Sequence, residues 1–507
     1  MRGARLVSDV ASVGPLSARA KRVLVVDLNN FSSFPTLAIG LLVASLRNSG
    51  CEVRLLSPLA YDVEASERER AEHLIDHWQR RLHLSTWGPV EPMREAARTV
   101  RNWWSNRPHG RVISATARAL QDRPDVLLLS AYLQHYPTVV ELGRLARAAG
   151  VPLLLGGPMF NVAETAAAWR GVPGLSAIYG GEADLNIGEL VSAVAEERDL
   201  LRFPGIVLPD GRAAPPAPPL RGLDASPVPD FTDFPWDRYR VRIVPLMTGR
   251  GCQWSKCAFC SDVVSVSGRT YRTRSLESVL HEMREQAKRH DTSNFLFLDL
   301  KLNSNPAMFR GIAENIQSQV PGAEWIGTVH VDQRPDNGLS RRDLRAAVAS
   351  GMRRISFGLE SGSQRLLDLM NKGSLVEANA TFIREAHEAG LSVRCTMMKG
   401  YPGETADDLV QTADFLEKHS PYIDRVRFNE FSLLLDTPAY EQVVAEPWRY
   451  PDIRMAGVDG RRARGVYRHL RAGGADYRRA KARVLRAVYA INRRRIRSSA
   501  RAFDGLM

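Results

Sequence analysis

The sequence predicts an α/β protein in which two parallel sheets follow one another along the chain. Hydrophobic strand-like segments alternate with amphipathic helix-like segments in residues 22–201, and the same alternation returns in residues 241–440. A proline-rich connector at residues 202–240 separates the two halves. We therefore expect a Rossmann-like N-terminal domain, a partial (β/α)6 barrel, and a basic helical C-terminal region at residues 441–507.

The first half begins with a strand–helix–strand unit. Residues 22–27 and 52–56 have the hydrophobic pattern of buried strands, and residues 35–48 between them have helical periodicity. Residues 1–21 are basic and rich in small residues but lack an apolar core, so we expect a disordered lead-in rather than a signal peptide. A charged helical insertion is expected at residues 62–120. Four tryptophans of this insertion are expected to pack on the sheet or to line a pocket: Trp78, Trp87, Trp103 and Trp104.

Three loops of the first half follow predicted strands and carry small or polar residues. They are residues 130–137, the turn 156–158 and the segment 180–182. Ligands of open α/β sheets bind at the carboxyl ends of the strands, and small residues let a bulky ligand approach the backbone. The sequence therefore predicts a ligand site at this edge of the first sheet.

The second half contains six predicted strands with helices between them. Six parallel strands in sequence order form a barrel-like sheet that stays open on one side, and its reactive face lies at the carboxyl ends of the strands. The strands are expected at residues 242–246, 294–299, 325–331, 354–359, 392–398 and 425–431.

A loop directly after the first of these strands holds three of the five cysteines within nine residues, at Cys252, Cys257 and Cys260. Thiolates this close in sequence can hold one compact iron–sulfur site, and three ligands leave one iron of a cubane cluster open. A zinc site normally needs a fourth ligand, and the nearest candidate, His281, falls on a predicted helix. A disulfide would need an oxidising compartment, which nothing in the sequence indicates. The other two cysteines, Cys51 and Cys395, are expected to be core thiols.

Composition and charge indicate the number of domains and the kinds of partner that the protein can have. The 507 residues suit two or three domains, the apolar fraction is 44%, and no apolar run is long enough to predict a membrane span. The net charge of +13 is confined to residues 454–507, which hold 16 basic and 3 acidic residues. We expect a cytoplasmic protein with a neutral body and a basic tail. Nucleic acid is an unlikely ligand, since no nucleic-acid-binding motif accompanies the charge.

The cysteine loop resembles the signature of radical SAM enzymes. That signature usually has three residues between its first two cysteines, whereas this chain has four, and an aromatic residue such as Phe259 commonly precedes the last cysteine. The first half resembles the cobalamin-binding domain that precedes many radical SAM domains, and residues 229–239 resemble the segment that joins the two. The chain thus resembles the cobalamin-binding radical SAM enzymes. This resemblance implies a 4Fe–4S cluster on Cys252, Cys257 and Cys260, together with SAM and cobalamin.

Two further turns carry the resemblance in the second half, at residues 357–363 and 399–405. They match the family segments that contact the ribose and methionine parts of SAM and its adenine, and the end of the strand at 297–299 matches the segment facing its amino group. The resemblance therefore implies SAM contacts from Phe259, Asp299, Glu360, Ser361, Gly400, Pro402 and Gly403.

The resemblance also implies a set of cobalamin contacts in the three loops of the first half. The motif that supplies a histidine to cobalt in other cobalamin proteins is absent, because the first strand is followed by Asp27-Leu28-Asn29-Asn30-Phe31. His135 is the one histidine in a predicted cofactor-facing loop, and we interpret it as a polar residue near a helix start rather than as a cobalt ligand. The implied contacts are Ser130, Tyr132, Gln134, His135, Gly156, Gly157, Pro158, Gly180, Gly181 and Glu182.

The basic tail allows two interpretations. An apolar stripe that includes Val484, Leu485 and Val488 indicates a docked terminal helix with a solvated basic face. Alternatively, arginines such as those at 493–495 form a docking site for an acidic partner, either a peptide, a carrier-bound substrate or a phosphorylated small molecule.

The function that the resemblance implies is cobalamin-dependent methyl transfer to an unactivated carbon of a natural product or peptide. An electron donor such as flavodoxin or ferredoxin is implied as a partner. One alternative is use of the same cofactors for ring formation or rearrangement without methyl transfer. A second is a non-catalytic cobalamin or cluster sensor.

Overall fold

A computed structural model describes residues 19–28, 33–61, 71–334 and 338–506. The first half of the chain forms a six-stranded sheet. The sheet order is β2-β1-β3-β4-β5-β6; all neighbours are parallel except β5 and β6, which are antiparallel. The strands are β1 (Arg22–Asp27), β2 (Glu52–Leu56), β3 (Val126–Ser130), β4 (Leu153–Gly156), β5 (Leu175–Tyr179) and β6 (Ile206–Val207). This confirms the predicted Rossmann-like arrangement.

Helices cover both faces of this sheet. Alternate residues of each central strand point to opposite faces: Val25 and Leu128 pack with α1 and α7, whereas Leu24 and Leu127 pack with α4 and α5. The strand order reverses between β1 and β3, which is where a ligand cleft is expected. The helices of this half are α1 (Leu37–Asn48), α2 (Leu74–His83), α3 (Glu91–Asn106), α4 (Gly110–Gln121), α5 (Tyr136–Ala149), α6 (Ala163–Trp169) and α7 (Ile187–Ala195).

The second half is a partial barrel of six parallel strands in sequence order, β7-β10-β11-β12-β13-β14. A short antiparallel pair, β8 with β9, follows its first strand. The strands are β7 (Val244–Leu246), β8 (Gly249–Arg250), β9 (Arg272–Thr273), β10 (Asn294–Phe297), β11 (Glu324–Val329), β12 (Met352–Glu360), β13 (Ser392–Lys399) and β14 (Arg425–Glu430). The intervening helices are α8 (Leu276–His290), α9 (Pro306–Gln319), α10 (Arg341–Ala349), α11 (Gln364–Leu369), α12 (Val376–Ala389) and α13 (Ala406–His419).

The sequence predicted a helical C-terminal region, but the structure shows a region that is only partly helical. It contains α14 (Pro438–Ala445), an antiparallel hairpin of β15 (Ile453–Asp459) and β16 (Arg464–His469), and α15 (Ala475–Asn492). The apolar stripe of α15 is buried and packs on α13, so the tail is a docked helix. The chain then enters the barrel, where Phe503 and Leu506 pack against Ile243, Leu296 and Ile326.

Two further expectations about the first half need correction. The connector at 202–240 is not only a linker, because its residues Ile206–Val207 pair with β5 and extend the sheet. The insertion is helical, but Trp78, Trp87 and Trp103 are each more than half exposed and line neither of the two cavities described below. The side chain of Trp104, residues 62–70, and most of the predicted lead-in at 1–21 lie outside the described residues.

The helices of the described residues include none that is both long enough and apolar enough to cross a membrane.

Candidate active site

The cysteine loop begins at the carboxyl end of β7 and is fixed there by a buried carboxylate. Thr248 donates to Asp299 from its hydroxyl (2.6 Å) and its backbone N–H (3.1 Å), and the N–H of Gly249 donates at 3.0 Å. Burial raises the pKa of Asp299 to about 6, although these hydrogen bonds oppose the rise. Asp299 thus positions the start of the cysteine loop, and whether it also contacts SAM stays a prediction.

The loop is held from its other side by the segment that follows α11. The indole N–H of Trp254 donates to the carbonyl of Asn371 (2.9 Å), and the N–H of Ala258 donates to that of Met370 (2.9 Å). Gly373 has a φ of +68°, and a Cβ there would lie 2.2 Å from the Trp254 ring. Glycine at 373 therefore permits both the left-handed turn and the close approach of the cysteine loop.

The three thiols of the loop are partly buried and unpaired with other cysteines. Burial raises the pKa of Cys257 and raises that of Cys260 to about 12, while the charge of Lys372 opposes the rise at Cys257. Within the described residues, no three Cys, His, Asp or Glu side chains converge on a single metal ion. A cubane cluster does not require such convergence, because each thiolate binds a different iron.

A cavity of about 460 Å³ opens inside the barrel beside this loop; we call it the barrel chamber. Its wall includes Phe259 from the cysteine loop and Glu360 from the end of β12. Lys372 Nζ lies 3.3 Å from Glu360 Oε1 and 5.6 Å from the centre of the Phe259 ring. Phe34 and Leu298 also line it, and the rest of the wall comes from β13, β14 and the segments beyond, at Arg394, Thr396, Met397, Met398, Arg427, Asn429, Glu430, Phe431, Ser432, Leu434 and Leu506.

Glu360 is the predicted SAM residue that the structure places best. Its φ is +61°, an uncommon and strained backbone conformation for a residue other than glycine, and its side chain is buried in the chamber wall. Burial raises the pKa of this carboxyl, and Lys372 acts in the opposite direction. A buried carboxylate next to a lysine suits recognition of hydroxyl or ammonium groups of a ligand.

Four other predicted SAM residues do not line the barrel chamber. The Ser361 hydroxyl lies 3.1 Å from that of Thr412 and accepts from the N–H of Ser363 at 3.0 Å, so it fixes the turn after β12. Gly400, Pro402 and Gly403 form the turn after β13, where both glycines have φ values above +80°. Whether that turn contacts SAM stays a prediction.

A second cavity, of about 440 Å³, lies at the carboxyl ends of β1, β3, β4 and β5 and is closed by residues of the barrel; we call it the inter-sheet cavity. Gly157 shows why small residues are needed there, since a Cβ would lie 2.1 Å from the carbonyl oxygen of Ala131. The structure brings together seven of the ten predicted cobalamin residues in its wall: Ser130, Tyr132, Gly156, Gly157, Pro158, Gly181 and Glu182.

The other three predicted cobalamin residues lie outside the cavity wall. Gln134 is exposed, and Gly180 packs against the backbone of Phe160 while its N–H donates to Gly205 O. His135 is the residue before α5; its Nδ1 accepts from the N–H of Tyr132 at 3.2 Å, and burial lowers its pKa to about 4. His135 is thus a buried neutral residue at a helix start.

Glu182 has a second role that the sequence did not indicate. Its side chain is 1% exposed and accepts from Arg250 (2.7 Å), from Arg272 (2.5 Å) and from the N–H of Leu220 (2.6 Å). Arg250 also binds Asp184, which itself is buried. These ion pairs join the third loop of the first sheet to the β8–β9 pair that frames the cysteine loop.

The two cavities share part of their walls. Phe34, which precedes α1, and Leu298, which follows β10, line both the inter-sheet cavity and the barrel chamber. Sequence reasoning missed both residues, together with Arg250 and Lys372. Only Arg250 carried a local signal, because it belongs to the Arg-Gly pair before the first cysteine.

Residues 246–416 match the radical SAM superfamily. This match contains the cysteine loop, Glu360 and the turn at 400–403, and it confirms the family predicted from the cysteine motif. The chain is 26% identical over 330 residues to an uncharacterized methyltransferase, PH0819, of Pyrococcus horikoshii; the alignment covers 64% of this chain and 70% of the relative.

The fold of the chain is similar to that of solved structures at 16% identity. One is OxsB, a cobalamin-dependent SAM radical enzyme solved with aqua-cobalamin and SAM (TM-score 0.66; 92% of this chain and 66% of OxsB). Another is the methyltransferase TsrM from Kitasatospora setae, solved with cobalamin and a [4Fe-4S] cluster (TM-score 0.64; 93% of this chain and 89% of TsrM). The likeness spans both sheets and confirms the predicted fold class.

Proposed function

We propose that this radical SAM protein is a cobalamin-dependent methyltransferase that acts on an unactivated carbon. One observation carries the proposal: the inter-sheet cavity and the barrel chamber meet at Phe34 and Leu298. A cofactor at the carboxyl ends of the first sheet would therefore face a substrate held beside the cysteine loop. The cofactors named for OxsB and TsrM, together with the PH0819 relative, support this assignment.

The cysteine loop fits an iron–sulfur cluster in its donor set. Cys252, Cys257 and Cys260 supply three soft thiolate ligands and leave one iron open for SAM. Lys372 and Lys301 lie near these sulfurs, since their charges act on the thiols, and they would offset the negative charge of a thiolate-bound cluster. When bound, the reduced cluster supplies the electron that cleaves SAM, and cobalamin supplies the carrier of the methyl group.

The chain's own residues would bind SAM and keep water out of the chamber. Glu360 would accept hydrogen bonds from SAM, and Lys372 holds that carboxylate in place. Phe259, Met397 and Met398 give the chamber apolar walls that exclude water from a reactive radical.

The inter-sheet cavity fits cobalamin by the shape of its wall. The wall is mostly small residues and apolar side chains, so these residues would let a large macrocycle approach the strand ends. We propose that His135 does not ligate cobalt, because it lies outside this wall. Residues 29–32, in the loop that follows β1, lie outside the described residues.

Partners and location follow from the proposed chemistry. The enzyme would need a one-electron donor such as a flavodoxin or ferredoxin, which implies the cytoplasm. An acidic substrate or carrier protein would dock on the exposed arginines of the tail, since the opposite face of α15 is buried.

The test is incubation of anaerobically reconstituted enzyme with hydroxocobalamin, a reductant and SAM that carries a trideuterated methyl group, with candidate substrates. We expect release of 5′-deoxyadenosine and a mass gain of about 17 Da, because one trideuterated methyl group replaces a hydrogen. Product without the label would favour ring formation or rearrangement. Absence of SAM cleavage in cluster-loaded enzyme would favour a sensor.

A further inference from the structure

The turn after β13 is held by two tyrosines that lie outside the matched radical SAM region, residues 246–416. The N–H of Gly400 donates to Glu404 Oε2 at 2.7 Å, and the same oxygen accepts from the hydroxyl of Tyr477 on α15. The carbonyl of Gly400 accepts from the hydroxyl of Tyr467 on β16 at 3.3 Å. Both polar groups of the Gly400 backbone are thus fixed, directly or through Glu404, by the C-terminal region.

Glu404 is a buried carboxylate that depends on these hydrogen bonds. Its side chain is buried, and an ionised carboxylate away from water is costly unless hydrogen bonds satisfy it. Burial raises the pKa of Glu404 to about 7, and the hydrogen bonds from Tyr477 and Gly400 and the charge of Lys399 oppose that rise. The Tyr477 hydroxyl is therefore one of the groups that keep an acceptor in place for the Gly400 N–H.

The ring of Tyr477 and its hydroxyl do different things. The ring is buried with the apolar face of α15 and contributes to docking of that helix. The hydroxyl donates to Glu404. Replacement by phenylalanine removes the hydroxyl and keeps the ring, so the two roles are separable by experiment.

We propose that the C-terminal region positions the SAM-binding turn of the barrel, with Tyr477 acting through Glu404 as a positioning residue. This rests on the proposed function and on the prediction from the sequence that residues 400–403 contact SAM. Docking of α15 and formation of the SAM site are then one event, since a displaced helix would leave Glu404 without a donor and Gly400 without its fixed orientation. The docked tail is a part of the cofactor site.

The test is Tyr477→Phe in the full chain, loaded with cluster and cobalamin. SAM cleavage to 5′-deoxyadenosine is followed at varied SAM concentration with dithionite as reductant, which needs no substrate. We expect the KM for SAM to rise about tenfold while kcat at saturating SAM stays the same, because a hydrogen bond to a carboxylate that orients the turn is lost. Iron and cobalamin content should not change.

The matched control is Tyr489→Phe on the same helix, whose ring lies against His77 and away from the turn. It should leave the KM for SAM unchanged. Glu404→Gln is the second arm. It keeps the side-chain volume but replaces the charged acceptor of the Tyr477 and Gly400 hydrogen bonds with a neutral amide oxygen, which holds them more weakly, so the KM for SAM should rise even if Tyr477→Phe folds poorly.

Two results would overturn the proposal. One is an unchanged KM for SAM in both Tyr477→Phe and Glu404→Gln. The other is a fall in kcat and in the thermal midpoint with no change in KM, which would show a purely structural role. If wild-type enzyme holds a cluster but neither binds nor cleaves SAM, the proposed function is overturned as well. If wild type cleaves SAM and only the variants give the results above, the proposed function stands and only the positioning role of Tyr477 is refuted.

Discussion

The ion pairs of Glu182 yield the most specific prediction about how the two halves of the molecule are joined. In Glu182→Gln, Arg272 would lose the carboxylate that it contacts and Arg250 would keep only that of Asp184, at a site where all these side chains are at most 13% exposed. Removing one partner of a buried ion pair costs about 3–5 kcal/mol, because it leaves a charge uncompensated. The glutamine still accepts one hydrogen bond, so we expect a loss near the lower end, about 3 kcal/mol.

The assay is thermal unfolding of cofactor-free protein, wild type against Glu182→Gln. For a cooperative unit of about 150–250 residues, 3 kcal/mol corresponds to a fall of roughly 6–12 °C in the midpoint. The control is Glu189→Gln, an exposed glutamate of the same half that pairs with Arg202, where the loss should stay below about 1 kcal/mol. Equal midpoints for the two variants would refute the reasoning and return Glu182 to a role in cofactor binding alone.

The same network makes a pH-dependent contribution. Although burial alone would raise it, the hydrogen bond and charge of Arg250 hold the pKa of Asp184 below its ordinary value. The folded-state pKa is depressed, so this stabilisation is present above the unfolded pKa of about 3.9 and is lost as the pH falls below it. The wild-type midpoint should therefore fall in acid.

Three other changes have expected outcomes. Glu360→Gln should raise the Kd for SAM about tenfold or more in equilibrium dialysis with iron content unchanged, since a charged acceptor in the chamber wall is lost; an unchanged Kd would mean that this side chain does not face SAM. His135→Ala should leave the absorption spectrum of bound cobalamin unchanged, because His135 lies behind the cavity wall; a spectral change would assign it to cobalt. Arg494→Gln should lower the thermal midpoint more than Arg493→Gln, as Arg494 donates to the carbonyls of Ser420 and Ile423; equal effects would contradict a structural role for Arg494.

Local patterns were sufficient to predict the two parallel sheets. The strand at Arg22–Asp27 is centred on a continuous apolar run, which only a sheet covered on both faces buries, and its bounds match the prediction. The hairpin of β15 and β16 was missed because its residues are rich in arginine and largely exposed, so no apolar alternation marks it.

The parts of the candidate site that the sequence did not predict depend on distant partners. Glu182 was recognised as a residue of a strand-end loop, but its partners Arg250 and Arg272 lie 68 and 90 positions away, and no local pattern links them. Asp299 lies at the predicted strand end, yet its oxygens are directed to Thr248 and Gly249 by the packing of β7 beside β10. Phe34 joins both cavities only because the barrel packs against the first sheet.

The most direct test of the account is whether cobalamin occupies the inter-sheet cavity. Cluster-loaded wild type and Ser130→Phe, which fills the cavity at the end of β3, are incubated with hydroxocobalamin, passed through a desalting column and assayed for cobalamin and iron. We predict that wild type retains about one cobalamin per chain and that Ser130→Phe retains almost none, with equal iron in both. Equal retention by the variant, or no retention by wild type, would contradict the account.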